Sequence, residues 1–429
     1  MTTNSKTNRR QFMSTGAAVA AGGILAANTP VAQAAGGFHV AGDDTIKVGL
    51  IGCGGRGAGA AINACRADSN VRITALADAF MDRIESVHKT LMKKRPEQMA
   101  DEIQKFDGFD NYQQLIDSGV DVVILATPPH FRPDHIEAAI KAGKHVFCEK
   151  PVGVDVQGVE RVRVACRSAA EQGLTIVSGL CWRYDYGVRA TISRILDGEI
   201  GEIVSIHENY ITGELWHRGN DPKWSQMEYQ MRNWLYFNWL AGDHTAEQHI
   251  HSLDKALWLM GDKPPVSCYS MGGRQKRTAE QYGNVYDHFA TVFEWENGVK
   301  CHSYCRQQSG CFNDTQDYVV GKKGSATILR NEIRADGKDA WRFREKKPSM
   351  YDVEHAEMFA AIKNGEPINN GEYMCDSTLM ALIARDSAYT GQKIEWADYL
   401  KSKVILGPKD YEWGDYAPLP VAIPGDKPW

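Results

Sequence analysis

The ten cysteines never fall into a C-x-x-C pair, so the spacing used by thiol-based zinc sites and dithiol redox motifs is missing. Only Cys301, Cys305 and Cys311 lie near one another, on what reads as a strand and its following loop. Buried small hydrophobes are the expected role of such residues, with disulfides after export the alternative. Charge of one sign never accumulates: the net charge is −5 without a long block of like charges, which argues against a nucleic-acid partner. Beyond the N-terminal segment, no apolar run approaches the ~20 residues of a membrane span, so no stable membrane insertion of the mature chain is expected. Internal repeats and low-complexity tracts are absent.

What remains is a chain of 429 residues, 43% hydrophobic and 24% charged, long enough for two domains that each bury a core. Aromatics are plentiful, with 11 Trp, 17 Tyr and 13 Phe. Core and interface take most of them, but sugar-binding clefts also use aromatic faces.

Residues 1–34 read as a twin-arginine-type signal peptide. Arg9-Arg10 precedes a mild apolar stretch, Gly16 to Ala27, and Ala32-Gln33-Ala34 supplies the small residues of a cleavage site. The expectation is an exported, periplasmic protein that meets the twin-arginine export machinery already folded. Outside the cytoplasmic nucleotide pool, a dinucleotide cofactor would have to be tightly held and reset within the catalytic cycle.

From about residue 45 the chain alternates strands and helices. Thr45 to Leu50 runs into Gly52-x-Gly54-x-x-Gly57, and small helix-forming residues follow. In that pattern Gly52 permits the tight turn, Gly54 lets the backbone approach a pyrophosphate, and Gly57 lets helix and strand pack closely. Gly55 and Arg56 complete the loop, whose free N–H groups face the phosphates. The strand Val71 to Ala77 ends at Asp78, about 20 residues beyond the last glycine, where a carboxylate accepts bonds from the ribose of NAD and repels the 2′-phosphate of NADP. The cofactor expected is NAD, with NADP second. Further strands, Val120 to Ala126, Lys144 to Cys148 and Leu174 to Leu180, place Thr127-Pro128-Pro129-His130 and Glu149-Lys150-Pro151 at strand ends, where ligands of parallel sheets bind.

Together these motifs, with His135, Ala142 to Val146 and Trp182-Arg183-Tyr184, resemble the glucose–fructose oxidoreductase/inositol dehydrogenase/rhizopine-catabolism (Gfo/Idh/MocA) family over about residues 45–400. The resemblance implies a Rossmann domain (45–181), an α+β substrate and oligomerisation domain with a largely antiparallel open sheet (182–400), and a homo-oligomer. It implies reversible hydride transfer between a sugar or cyclitol hydroxyl and NAD. Thr127, Pro128, His130 and Glu149 would then border the cofactor, and Lys150 would hold the reacting hydroxyl. His251 matches the family's catalytic histidine, and Glu247 stands where the family usually has Asp. On one helix the two are i and i+4. His249 replaces a small residue and is placed to share the work.

The second domain begins with Ile203 to Tyr210 as a strand. His288 to Trp295 and Val299 to Arg306 read as a hairpin with a type I′ turn at Asn297-Gly298. Helices over Leu253 to Met260, His355 to Lys363 and Asp376 to Thr390 are expected on one face of its sheet. The aromatic stretch Trp216 to Trp239 offers a polyol-pocket lining, with Arg183, Arg232 and Trp234 as candidate substrate contacts. Residues 401–429, rich in Pro and aromatics, are expected to wrap a neighbouring surface.

Three rival readings stand beside this one. A glycoside-cleaving enzyme would use the same NAD transiently through oxidation, elimination and reduction, although the family's glycosidases carry a Tyr before the catalytic His. A non-catalytic dinucleotide sensor would not need Lys150 or His251. His244, Glu247 and His251 also recur at i, i+3 and i+7, a spacing suited to a metal, but no zinc motif is complete and no metal is expected.

Overall fold

The computed structural model describes residues 45–428. The proposed signal peptide lies outside the described residues.

The inner strands of the first sheet are apolar at most positions, as burial on both faces requires, while one edge strand is largely polar. This part of the chain is built from β1 (Ile46–Ile51), α1 (Gly55–Ala67), β2 (Val71–Ala77), α2 (Met81–Lys94), β3 (Met99–Phe106), α3 (Asn111–Asp117), β4 (Val122–Leu125), α4 (Arg132–Lys141), β5 (His145–Cys148), α5 (Val156–Glu171) and β6 (Ile176–Ser178). The strand order is β3-β2-β1-β4-β5-β6 and every pairing is parallel, a Rossmann sheet. Alternate residues serve opposite layers: Val48, Leu50, Val122, Ile124 and Phe147 pack on one side, Ile51, Val123, Leu125 and Val146 on the other. The order reverses between β1 and β4, which opens the crevice where such sheets bind ligands.

After α6 (Tyr186–Leu196) comes β7 (Ile203–Thr212), then α7 (Gln226–Arg232), α8 (Asn238–Ala241) and α9 (Ile250–Leu259). The second sheet adds β8 (Ser267–Gly273), β9 (His288–Glu294), β10 (Lys300–Gln307), β11 (Asp317–Gly321), β12 (Gly324–Thr327), β13 (Glu332–Ala335) and β14 (Trp341–Arg342). Then follow α10 (Met350–Asn364), α11 (Gly371–Thr390), β15 (Ile394–Glu395) and α12 (Trp396–Tyr399). Nine strands lie in the order β14-β13-β12-β11-β7-β10-β9-β8-β15, antiparallel except for β7 beside β10. Its inner face buries Ile206, Cys268, Phe293, Cys301 and Val319 together with Leu253 and Leu257 of α9 and Leu379 and Ile383 of α11.

Three expectations change, and the expected role of the cysteines holds. The helix at 355–363 belongs to α10, which does not cover the second sheet: Val353, Met358, Phe359 and Ile362 enter the Rossmann core, and His355 meets the Phe147 ring at 4.2 Å. The β9–β10 turn is not type I′, which needs positive φ at two residues. Only Gly298 has it (φ 81°), and its N–H donates to Trp295 O at 2.9 Å, a three-residue loop closed by a left-handed glycine. The C-terminal tail folds back on its own chain, with Gly425 N donating to Thr390 O at 3.0 Å. No cysteine is paired: nine are buried and Cys311 is exposed.

Candidate active site

A cavity of about 440 Å³ opens at the carboxyl ends of the Rossmann strands. Its floor is the β1–α1 loop. Gly52 adopts φ 98°, and a Cβ there would meet the Ala126 backbone at 2.5 Å. A Cβ on Gly57 would sit 1.9 Å from Gly52 O, so close packing of helix on strand requires glycine at both positions. Beside Gly54 and Gly55 the space is open, and α1 has no side-chain cap on its first turn. Uncapped N–H groups facing an open cradle suit a pyrophosphate.

Asp78 stands at the end of β2. Its Oδ2 accepts from Cys53 N at 2.7 Å and its Oδ1 from Phe80 N at 3.0 Å. Burial pushes its carboxyl up to about 6, against those two bonds, which favour the charged form. Phe80, Arg83, Phe109 and Phe131 line the cavity around it. Thr127 and Pro128 form the next edge. The buried Arg132 guanidinium holds that edge to the following loop, donating to Thr127 O at 2.6 Å and also to Pro151 O. The Lys150–Pro151 bond is cis.

Arg56 lines the cavity but its guanidinium turns aside to Glu149, and to Glu354 of α10 at 3.2 Å. Glu149 therefore acts on the loop through Arg56. Lys150 Nζ donates to Glu247 O and lies 3.8 Å from Glu247 Oε1. Glu247 sits in a π turn, Thr245–His249, that leads into α9, so the simple i,i+4 geometry expected with His251 is distorted. Such turns recur at functional sites. Glu247 Oε2 and His251 Nδ1 are buried without hydrogen-bond partners, two polar atoms ready for a ligand. Lys255, one turn on, donates to His251 O at 2.8 Å and pairs with Asp317 at 3.0 Å. Burial, then the charges of Lys150, Lys255 and Arg56, hold the His251 imidazole well below its usual range, so it is neutral at pH 7. A neutral imidazole accepts a proton, and a neighbouring ammonium stabilises an alkoxide.

Arg232 and Trp234 form the opposite wall with Trp216, Arg218 and Met231. Arg232 is already engaged by Asp82 (3.1 Å), Glu228 (2.8 Å) and the Phe80 ring (4.0 Å), so it closes the wall. Three expected contacts lie elsewhere. Arg183 is buried on Asp254 (2.9 Å) and Asp262 (2.6 Å), tying the turn after β6 to α9. His249 bonds Ser303 Oγ on the second sheet, and burial lowers it to about 3. His130 shares a 2.7 Å hydrogen bond with Tyr411 of the tail. His244 turns to Asp243 at 3.1 Å and not to Glu247, and no three His, Cys, Asp or Glu form a ligating cluster among the described residues. Sequence reading missed Arg132, Arg83 and the phenylalanines, because no motif or periodicity marks them as cavity residues.

The oxidoreductase family with an NAD-binding Rossmann fold matches residues 46–178, and the GFO/IDH/MocA C-terminal domain matches residues 188–327. Inositol 2-dehydrogenase 3 of Saccharopolyspora erythraea is 28% identical over 287 residues, 66% of this chain and 73% of that enzyme. The 2,7-anhydro-N-acetylneuraminate hydratase of Escherichia coli is 30% identical over 215 residues. That match takes in half of this chain, and the chain spans about half the length of the hydratase (50% and 52%). Levoglucosan dehydrogenase, solved with NADH and levoglucosan, shares the fold at TM-score 0.65 and 18% identity, over 82% of this chain and 99% of that one. The strand order, the glycine loop and both family matches give one conclusion: this chain belongs to the Gfo/Idh/MocA family of NAD-binding oxidoreductases.

Proposed function

We propose that the protein transfers hydride reversibly between a secondary hydroxyl of a sugar or cyclitol and a tightly held NAD. The observation that carries this is the pairing of Lys150 with Glu247, which lines the dinucleotide cavity, with the neutral His251 within reach of the Lys150 charge. Bound NAD supplies the hydride acceptor. The chain's own residues do the rest. Lys150 holds the hydroxyl oxygen, His251 takes its proton at Nδ1, and Glu247 orients Lys150 and the substrate. The Trp216, Met231 and Trp234 wall excludes water and offers apolar faces to a ring. Dehydrogenases of inositol and levoglucosan among the relatives and neighbours support the substrate class.

A second reading, redox-neutral elimination with transient NAD reduction, is supported by the relationship to an anhydro-sugar hydratase. Product analysis separates the two. A polyol panel incubated with the purified protein yields a ketone and net NADH in the first case. In the second, a cleaved or hydrated product forms without net NADH. Neither product from any polyol or glycoside would overturn both.

The leader at Arg9-Arg10 gives an exported, periplasmic location for the mature protein, which cleavage mapping and fractionation test. The homo-oligomer forms through the outer face of the second sheet. There Tyr269, Val292, His302, His207 and Tyr318 make one cross-strand row, flanked by Met271 and Tyr304. Light scattering of Tyr304→Arg should show smaller particles than the unchanged chain, and an unchanged mass would contradict this interface.

A further inference from the structure

Among the described residues the chain after α12 forms no helix or strand of its own, and a terminus stays ordered only where something ties it down. Its ties fall first on one wall of the cavity and then on the other. On the Rossmann side, besides its hydrogen bond to His130, the Tyr411 ring packs on Phe109 at 5.6 Å and Phe131 at 5.3 Å. Trp413 packs on Phe109 at 4.5 Å and on Phe80 at 5.3 Å. On the other side, Gly414 O accepts from Met227 N at 3.0 Å, and Tyr416 O accepts from Gln230 Nε2. Farther along, Asn284 Nδ2 donates to Leu419 O at 3.0 Å and Tyr286 Oη to Ala422 O at 2.9 Å.

The placement of these ties is what matters. Phe80, Phe109 and Phe131, which Tyr411 and Trp413 back from outside, are the rings that line the cavity at its Asp78 end. Met227 and Gln230, which hold the segment on the far side, lie on α7 with Met231 and Arg232 of the opposite wall. The segment therefore joins the two walls around the opening. Arg232 on Asp82 and Phe80, and the Trp239 ring on His130 at 4.9 Å, also tie the two sides. Both family matches end before this segment.

We propose that residues 407–422 are a strap that backs the dinucleotide site from outside. It presses the aromatic wall onto the cavity at the adenosine end and keeps the two walls from parting, so the nucleotide leaves only after the strap lets go. This rests on reading the cavity as the dinucleotide site. It also gives a physical basis for a captive cofactor: the barrier is on release, and it is set by aromatic contacts outside the cavity.

The test is the rate of NADH release, followed by nicotinamide fluorescence after mixing the loaded protein with excess NAD. Three chains are compared: the full chain, Trp413→Ala, and a chain ending at Leu406. Losing the aromatic contacts on one wall and the hydrogen bonds on the other should speed release roughly tenfold or more in the shortened chain, and several-fold in Trp413→Ala. Should the shortened chain fail to fold, Trp413→Ala carries the test, because that ring is 45% exposed and its loss opens no core cavity. Equal release rates in the full chain and the folded variant would overturn the strap while leaving the dinucleotide reading intact. A full chain that binds no NADH at all would overturn that reading, and the strap with it.

Discussion

Asp78 carries the proposed preference for NAD over NADP through one negative charge, and its burial makes that charge depend on pH near neutrality. With its carboxyl pushed up to about 6, Asp78 is an anion above that pH and neutral below it. The anion repels a 2′-phosphate, so NAD should bind roughly tenfold or more tighter than NADP at pH 8. The ratio should shrink as pH falls through about 6. A 2′-phosphate also loses charge near pH 6, so the control is Asp78→Asn, in which the component due to Asp78 should vanish. Dissociation constants for both nucleotides at pH 8 and 5.5 decide it, and a pH-independent ratio in the unchanged chain would contradict this role. Residues of this kind were legible in sequence because their chemistry is local: a glycine loop, then a carboxylate at the next strand end. Arg183 was not. A guanidinium near aromatics reads the same whether it faces a ligand or, as here, two aspartates 71 and 79 positions away.

Among the elements, the β1–α1 turn is the least tolerant. Gly57→Ala drives a methyl into Gly52 O, and overpacking of that kind costs about 1–3 kcal/mol. The expected outcome is a lowered Tm and loss of the Tm rise that added NAD gives. Gly59→Ala, whose Cβ approaches nothing nearer than Arg56 at 3.4 Å, should behave like the unchanged chain. Five of the six Rossmann strands were readable as apolar runs, because burial on both faces leaves little other composition, whereas the edge strand β3, with Asp101, Glu102, Gln104 and Lys105, carried no such signal. The short outer strands β13, β14 and β15 were not, since two to four residues carry too little pattern. The helix α10 was recognised as a helix but assigned to the wrong domain. Its apolar positions fix that it packs, and only the three-dimensional return of the chain fixes on what.

In the whole molecule, buried neutral histidines set the acid limit. Burial lowers His130 to about 4 and His135, His249 and His355 to about 3. Each is depressed relative to the unfolded chain, where histidine titrates near 6.5. Their contribution to stability is therefore complete above about pH 6.5 and is lost as pH falls toward the folded values. The slope is up to about 1.4 kcal/mol per pH unit for each histidine. Urea unfolding between pH 7 and 4.5 should show it, and His249→Gln should reduce the slope by about one proton. At this scale the parallel sheet and the second, largely antiparallel sheet were legible, but the tail was not. Its composition suggested a wrapping segment, and nothing local showed that the surface it wraps is its own. Lys150 is proposed to work on a hydroxyl beside a bound nicotinamide. The most direct measurement is a single turnover: the NAD-loaded protein is mixed with cyclitols and sugars, and reduced nicotinamide absorbance is followed, in the unchanged chain and in Lys150→Met. The account predicts a reduction phase with at least one polyol, slowed by roughly 10²–10⁴-fold in the variant while NAD stays bound. Reduction at an equal rate in Lys150→Met, or none with any polyol in the loaded unchanged chain, would contradict it.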